Sequence, residues 1–187
     1  MRKNVLAMGV AAMIGGLAVS GNALAMVSWA GAGGSAQVLE VNGDNIGHML
    51  VVPYFSAQGS NDTYLNITNT DTVRGKAVKV RFRGASNSDD VFDFQVFLSP
   101  GDMWAAALTR DDNGEVKLNF NDTSCTLPAK ATLQSRRFIK TRVDGALDDA
   151  GNVAQTKEGY VEIINMADIP PATTPLLYST IKHKKVD

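Results

Sequence analysis

Between residues 76 and 98 apolar and polar side chains alternate twice, and this leaves little choice of local structure. Val78, Val80 and Phe82 share one parity while Lys79, Arg81 and Arg83 share the other; after the turn Gly84-Ala85-Ser86-Asn87-Ser88-Asp89, Phe92, Phe94, Val96 and Leu98 oppose Asp93 and Gln95. A period of two is that of a strand with one buried face, because successive strand side chains point to opposite sides. A slip of one residue would put one apolar set in water. The pairing should therefore place Phe82 opposite Phe92 and Val80 opposite Phe94, which also sets Arg81 across from Asp93. Such an exposed ion pair is worth under about 1 kcal/mol, so it reports the register rather than imposing it.

The rest of the chain repeats this grammar. Residues 37–41 and 47–55 read as strands, the second with Pro53, whose missing N–H confines it to an edge or a strand end. Residues 63–68 alternate Leu65 and Ile67 with Tyr64, Asn66 and Thr68. Residues 103–108 and 116–120 are expected to form a hairpin around Asn113-Gly114, a pair favoured in tight turns. Pro128 breaks residues 121–137, where 130–137 reads as a short helix or irregular chain. Residues 138–143 read as a strand, 144–157 as an exposed polar loop or hairpin tip, and 158–166 as a late core strand. Many short strands with almost no helical periodicity predict an all-β fold: an antiparallel β-sandwich, Ig-like or jelly-roll-like, of about seven to nine strands. A closed barrel ranks second. A membrane barrel is disfavoured because Lys79, Arg81 and Arg83 would face lipid.

The N-terminus carries an address. Arg2 and Lys3 precede an uncharged apolar stretch over residues 5–19, and Ala23 and Ala25 supply the small residues of an A-x-A cleavage site. This predicts a secretory signal peptide over 1–25, forming a signal helix and cleaved after Ala25. A retained anchor is the weaker reading, since the stretch is short and diluted by Gly9, Gly15 and Gly16. Residues 26–36, rich in Gly, Ala and Ser around Trp29, read as a flexible arm, 37–169 as the β-sandwich domain, and 170–187 as a Pro-rich linker with a C-terminal strand and basic tail. No later stretch is long and apolar enough to span a membrane in the mature form.

Composition excludes more than it selects. Eighteen basic residues against nineteen acidic ones argue against a nucleic-acid partner, whose binding depends on neutralising phosphates. Cys125 is the single cysteine, an anomaly in a chain sent to an oxidising compartment. It reads as a buried inert thiol, an intermolecular disulfide, or half of a pair whose second cysteine lies in a longer chain. A nucleophilic role ranks last, since only His48 and His183 could serve it.

No catalytic, cofactor-binding or metal-binding set is assigned. Asp89-Asp90, Asp111-Asp112 and Asp148-Asp149 lie in loops, but none matches a calcium-loop spacing, and Asp is a natural turn residue. No histidine pair has zinc spacing, and no Gly-x-Ser-x-Gly elbow is present. Asn61, Asn66 and Asn121 begin glycosylation triplets that match by chance. Arg74, Lys76, Lys79, Arg81 and Arg83 form a basic strip suited to an anionic surface polymer, although a solvated strand face explains it more simply. Trp29, Trp104, Tyr54 and Tyr64 suit a sugar-stacking platform less well than core or rim positions.

Several segments together, 48–55 (His48 to Phe55), 66–70, 79–84, 96–104 and Gly159-Tyr160-Val161-Glu162, resemble uncharacterised secreted or cell-surface proteins of Gram-negative bacteria over most of the mature region. The resemblance implies an exported β-sandwich at the cell surface, in the medium or in the periplasm, and offers no catalytic residues. Family members are longer, which implies an N-terminal piece and a missing partner for Cys125. The expected function is a non-enzymatic envelope or surface protein with a structural or binding role, its partner another envelope protein or a surface polymer. The competing class is an extracytoplasmic hydrolase or carbohydrate-processing protein using the Asp-rich loops, which requires two carboxylates about 5–10 Å apart in a cleft. A calcium-stabilised module is a third reading.

Overall fold

The computed structural model describes residues 41–143 and 147–183, and the chain divides into two compact units, Met1–Gly47 and His48–Asp187. The signal segment with Ala23 and Ala25, the arm over 26–36, Trp29 and nearly all of the strand expected over 37–41 lie outside the described residues. Of the first unit, 41–47 form a loop in which Asn42 accepts the Asp44 N–H (2.8 Å) and donates to the Ile46 carbonyl (3.0 Å).

The second unit is mostly β, built from two antiparallel sheets. One has the order β1-β8-β3-β4-β7 and the other β2-β5-β6, with β1 at Met49–Ser56, β2 at Thr63–Thr68, β3 at Gly75–Gly84, β4 at Asp90–Leu98, β5 at Met103–Arg110, β6 at Val116–Asn119, β7 at Cys125–Leu127 and β8 at Glu158–Ile169. The β3–β4 pairing sets Phe82 against Phe92, Val80 against Phe94 and Arg81 against Asp93, the register that the alternation requires. The expected ion pair does not form between those last two. Arg81 reaches diagonally to Asp90 (3.0 Å), while Asp93 takes Lys79. The long guanidinium arm gains two nitrogens on one Asp90 oxygen that way (3.2 and 3.0 Å).

Both sheets contribute to one core cluster. Phe55, Phe82, Phe92, Phe94 and Trp104 come from strands of the two sheets, and Phe138 stacks on Phe92 with ring centres 5.1 Å apart. Phe138 belongs to a stretch expected as a strand. It is instead irregular chain: the Phe138 N–H donates to the Val116 carbonyl on one sheet (3.1 Å) and the Ile139 N–H to the Val91 carbonyl on the other (2.7 Å). A segment that bonds to both sheets one residue apart cannot lie in the ladder of either.

Among the described residues three short helices complete the unit: α1 (Lys130–Ser135), α2 (Asp149–Gln155) and α3 (Pro175–Ile181). α1 takes the helical option for residues 130–137 and buries Leu133. Of the stretch read over 144–157 as an exposed polar loop or hairpin tip, 144–146 lie outside the described residues and α2 takes 149–155; Asp148 caps it by accepting the Gly151 N–H (2.8 Å). α3 overturns the C-terminal strand. Pro175 opens it at the first turn, and Ile181 packs with Ala77 and Ile169, while Tyr178, one turn earlier, lies against the same cluster. Residues 170–174 are a turn rather than a linker, closed by the Thr174 N–H on the Pro170 carbonyl (3.1 Å). No helix among the described residues is long and apolar enough to cross a membrane.

Candidate functional site

Chemistry-bearing side chains gather where the β4–β5 turn meets the start of β7 and the end of α3. Ser99-Pro100-Gly101-Asp102 turns with Pro at its second position and Gly101 at φ 70°, the type II pattern, and the Asp102 N–H donates to the Ser99 carbonyl (3.1 Å). The turn fixes the Asp102 carboxylate: Oδ1 accepts the Met103 N–H (2.9 Å) and Oδ2 the Ser99 N–H (3.2 Å). Buried Asn69 braces the same turn, donating to the Ser99 carbonyl (2.9 Å), while the Asn69 N–H bonds the Asp102 carbonyl (2.8 Å).

His183 spans from this carboxylate to the β6–β7 loop. Its Nε2 lies 3.0 Å from Asp102 Oδ2 and its Nδ1 3.3 Å from Thr123 Oγ1, and Ser124 Oγ is 3.5 Å from the same carboxylate oxygen. Cys125 follows, exposed, with Sγ 3.9 Å from the Thr180 carbonyl. Thr123, Ser124 and Cys125 line a shallow cavity of about 360 Å³ with Asp122, Thr126, Ala129 and Lys130. Hydroxyl, imidazole and carboxylate thus stand in the order of a nucleophile, its base and an orienting acid. The His183 side chain is 42% exposed, however, so water reaches the pair that such chemistry keeps dry. Sequence reasoning missed this grouping because its members lie 60 and 81 residues apart. The buried thiol reading of Cys125 is corrected by its exposure.

The other singled-out residues are dispersed and mostly tied up in local structure. Asp111 accepts two backbone N–H groups of its own hairpin and pairs with Arg137, whose guanidinium first of all holds the carboxyl below its ordinary range. Asp90 is taken by Arg81, and Asp149 shares Lys140 with Glu115. Among the described residues no group of three or more His, Cys, Asp or Glu could hold a metal ion. The basic strip faces carboxylates: Lys76 bridges Asp71 (3.0 Å) and Asp168 (2.7 Å), and Arg83 holds Glu162 (3.0 Å). Trp104 is fully buried, whereas Tyr54 and Tyr64 are exposed on different sheets, so they make no common platform. His48 is exposed and directly precedes β1.

One feature of the sheet itself is open. Among the described residues β1 is an edge strand, bonded to β8 alone, and its Met49, Val51 and Tyr54 side chains are exposed.

The fold and site define an antiparallel two-sheet β protein. No family model matches the chain, and neither a curated protein nor a solved structure matches it.

Proposed function

We propose that the chain is an exported β-sandwich protein of the bacterial cell envelope or surface, with a structural or binding role exercised through strand addition at an open edge. The signal-type N-terminus and the resemblance to secreted surface proteins support the address. The observation that carries the role is β1. Its sequence Met-Leu-Val-Val-Pro-Tyr-Phe-Ser holds no charged side chain, and the other common edge protections, a Pro and a bulge, fall at Pro53 and before Phe55, leaving Met49 to Val52 without either. Main-chain pairing at such an edge gives affinity, and alternate side chains give selectivity.

The test follows the protein in expressing cells: envelope and medium are separated, and retention in the envelope is compared between wild type and Val51→Lys. The expected result is loss of envelope association in the variant with unchanged export. Equal retention of both would remove the edge from the proposal.

A hydrolase is the second reading, favoured by the Thr123–His183–Asp102 alignment alone. It predicts cleavage of a simple activated ester that disappears in His183→Ala. Equal rates for the two proteins would dismiss it.

A further inference from the structure

Among the described residues, the edge of β1 is open along part of its length only. The Asn165 N–H donates to the His48 carbonyl (2.7 Å), and Met49 pairs with Ile164, so bonding toward β8 falls on His48, Leu50 and Val52. The N–H and C=O groups of Met49 and Val51 therefore point outward. Beyond Val52 the ladder shifts register before Phe55, at Pro53, which has no N–H to offer. At Ser56 the edge is sealed: its N–H donates to Thr63 Oγ1 (2.9 Å), and the Thr63 hydroxyl donates back to the Ser56 carbonyl (2.8 Å). What remains is a short window centred on Leu50.

We infer, resting on the strand-addition reading, that the occupant of this window is β1 of a second copy of the chain, paired antiparallel about a two-fold axis through Leu50. In that register Met49 of each copy faces Val51 of the other and exchanges both backbone bonds with it, while the two Leu50 side chains meet at the axis. A two-fold pairing needs a strand that tolerates its own side chains in reverse order, and any charge near the axis would meet its like. β1 carries none, and Met49 and Val51, each 56% exposed, would cover one another. Leu50 and Val52, half-buried against the core, would gain cover on the inner side. A window this short selects a partner that is equally short before its own bulge, which a second β1 is.

Edge pairing of this extent covers far less than the roughly 1,200–2,000 Å² of a stable complex, so the dimer is weak and forms where the protein is crowded. Sedimentation equilibrium of the protein purified after export, carrying Cys125→Ser to exclude disulfide dimers, tests it from about 10 μM to about 1 mM, the range in which weak association is read. The weight-average mass should climb toward the dimer value at the top of the range. Val51→Lys should weaken association by about tenfold or more, since each lysine would lie one pair from the axis and near its copy. Val73→Lys, at a similarly exposed site away from the edge, should associate like wild type. A wild-type protein that stays monomeric throughout, or a Val51→Lys protein that dimerises equally well, overturns the inference. If the purified protein is monomeric while Val51→Lys still loses envelope association in cells, strand addition stands and its partner is a different chain.

Discussion

Asp71 shows how much one loop carboxylate can hold. Burial alone would push its carboxyl up, yet the Arg74 and Val73 N–H groups and the Lys76 ammonium outweigh that and hold it at about 2 against an ordinary 3.8. A lowered pKa means stability that is complete above the unfolded value and lost as pH falls through the folded one. Asp71→Asn should therefore cost about 1–2 kcal/mol near neutral pH, with the gap to wild type closing toward pH 2; urea melts across that range measure it. Trp104 tests the core in the same way. It is fully buried between Phe94 (5.3 Å) and Phe120 (5.5 Å), and its Nε1 has no hydrogen-bond partner among the described residues. Trp104→Ala should lose about 3–5 kcal/mol in denaturant unfolding. Trp104→Phe, which removes the orphaned donor along with some volume, should lose distinctly less.

At the scale of elements, the long strands were legible because their alternation has a single low-energy solution. β2 and β4 fall on the residues that the sequence marks, and the β3–β4 register follows from keeping Phe82 and Phe92 dry. β7 was not legible: three residues are too few to show a period, and only pairing with Gln95, Val96 and Phe97 defines it. α3 was misread because a short apolar run fits either period, and what selects the helix is tertiary, the contact of Ile181 with Ala77 and Ile169. The His183 grouping depends on that same helix placing its C-terminal end beside the β4–β5 turn, so no local signal could reveal it. Close strand approach gives a sharper prediction. A Cβ at Gly159 would collide with the Arg83 carbonyl oxygen in the β3–β8 ladder, while one at Gly43 would meet nothing. Gly159→Ala should cost about 2–3 kcal/mol, and Gly43→Ala should leave unfolding unchanged within about 0.5 kcal/mol.

At the scale of the whole molecule, paired charges set the pH range of stability. For Asp168, burial pushes the carboxyl up, but Lys76 and Asn165 outweigh it, so its pKa, like those of Asp71 and Asp111, lies below the ordinary 3.8. Lys140, hydrogen-bonded first to Asp149 and then to Glu115, is raised above 10.5. The carboxylates contribute stability that fades as pH drops below about 4, whereas at the alkaline end Lys140 and Lys79, whose pKa is pushed down by burial, act in opposite senses. Melting temperature should hence fall as pH drops below about 4, which calorimetry over the acid range can check.

The Phe138–Ile139 segment has a consequence in time rather than in energy. Because its adjacent amides are bonded one to each sheet, each reports on a different sheet: in deuterated solvent the Phe138 amide should exchange as β6 loosens and the Ile139 amide as β4 does, and equal rates for the two would mean that the segment lets go of both sheets at once.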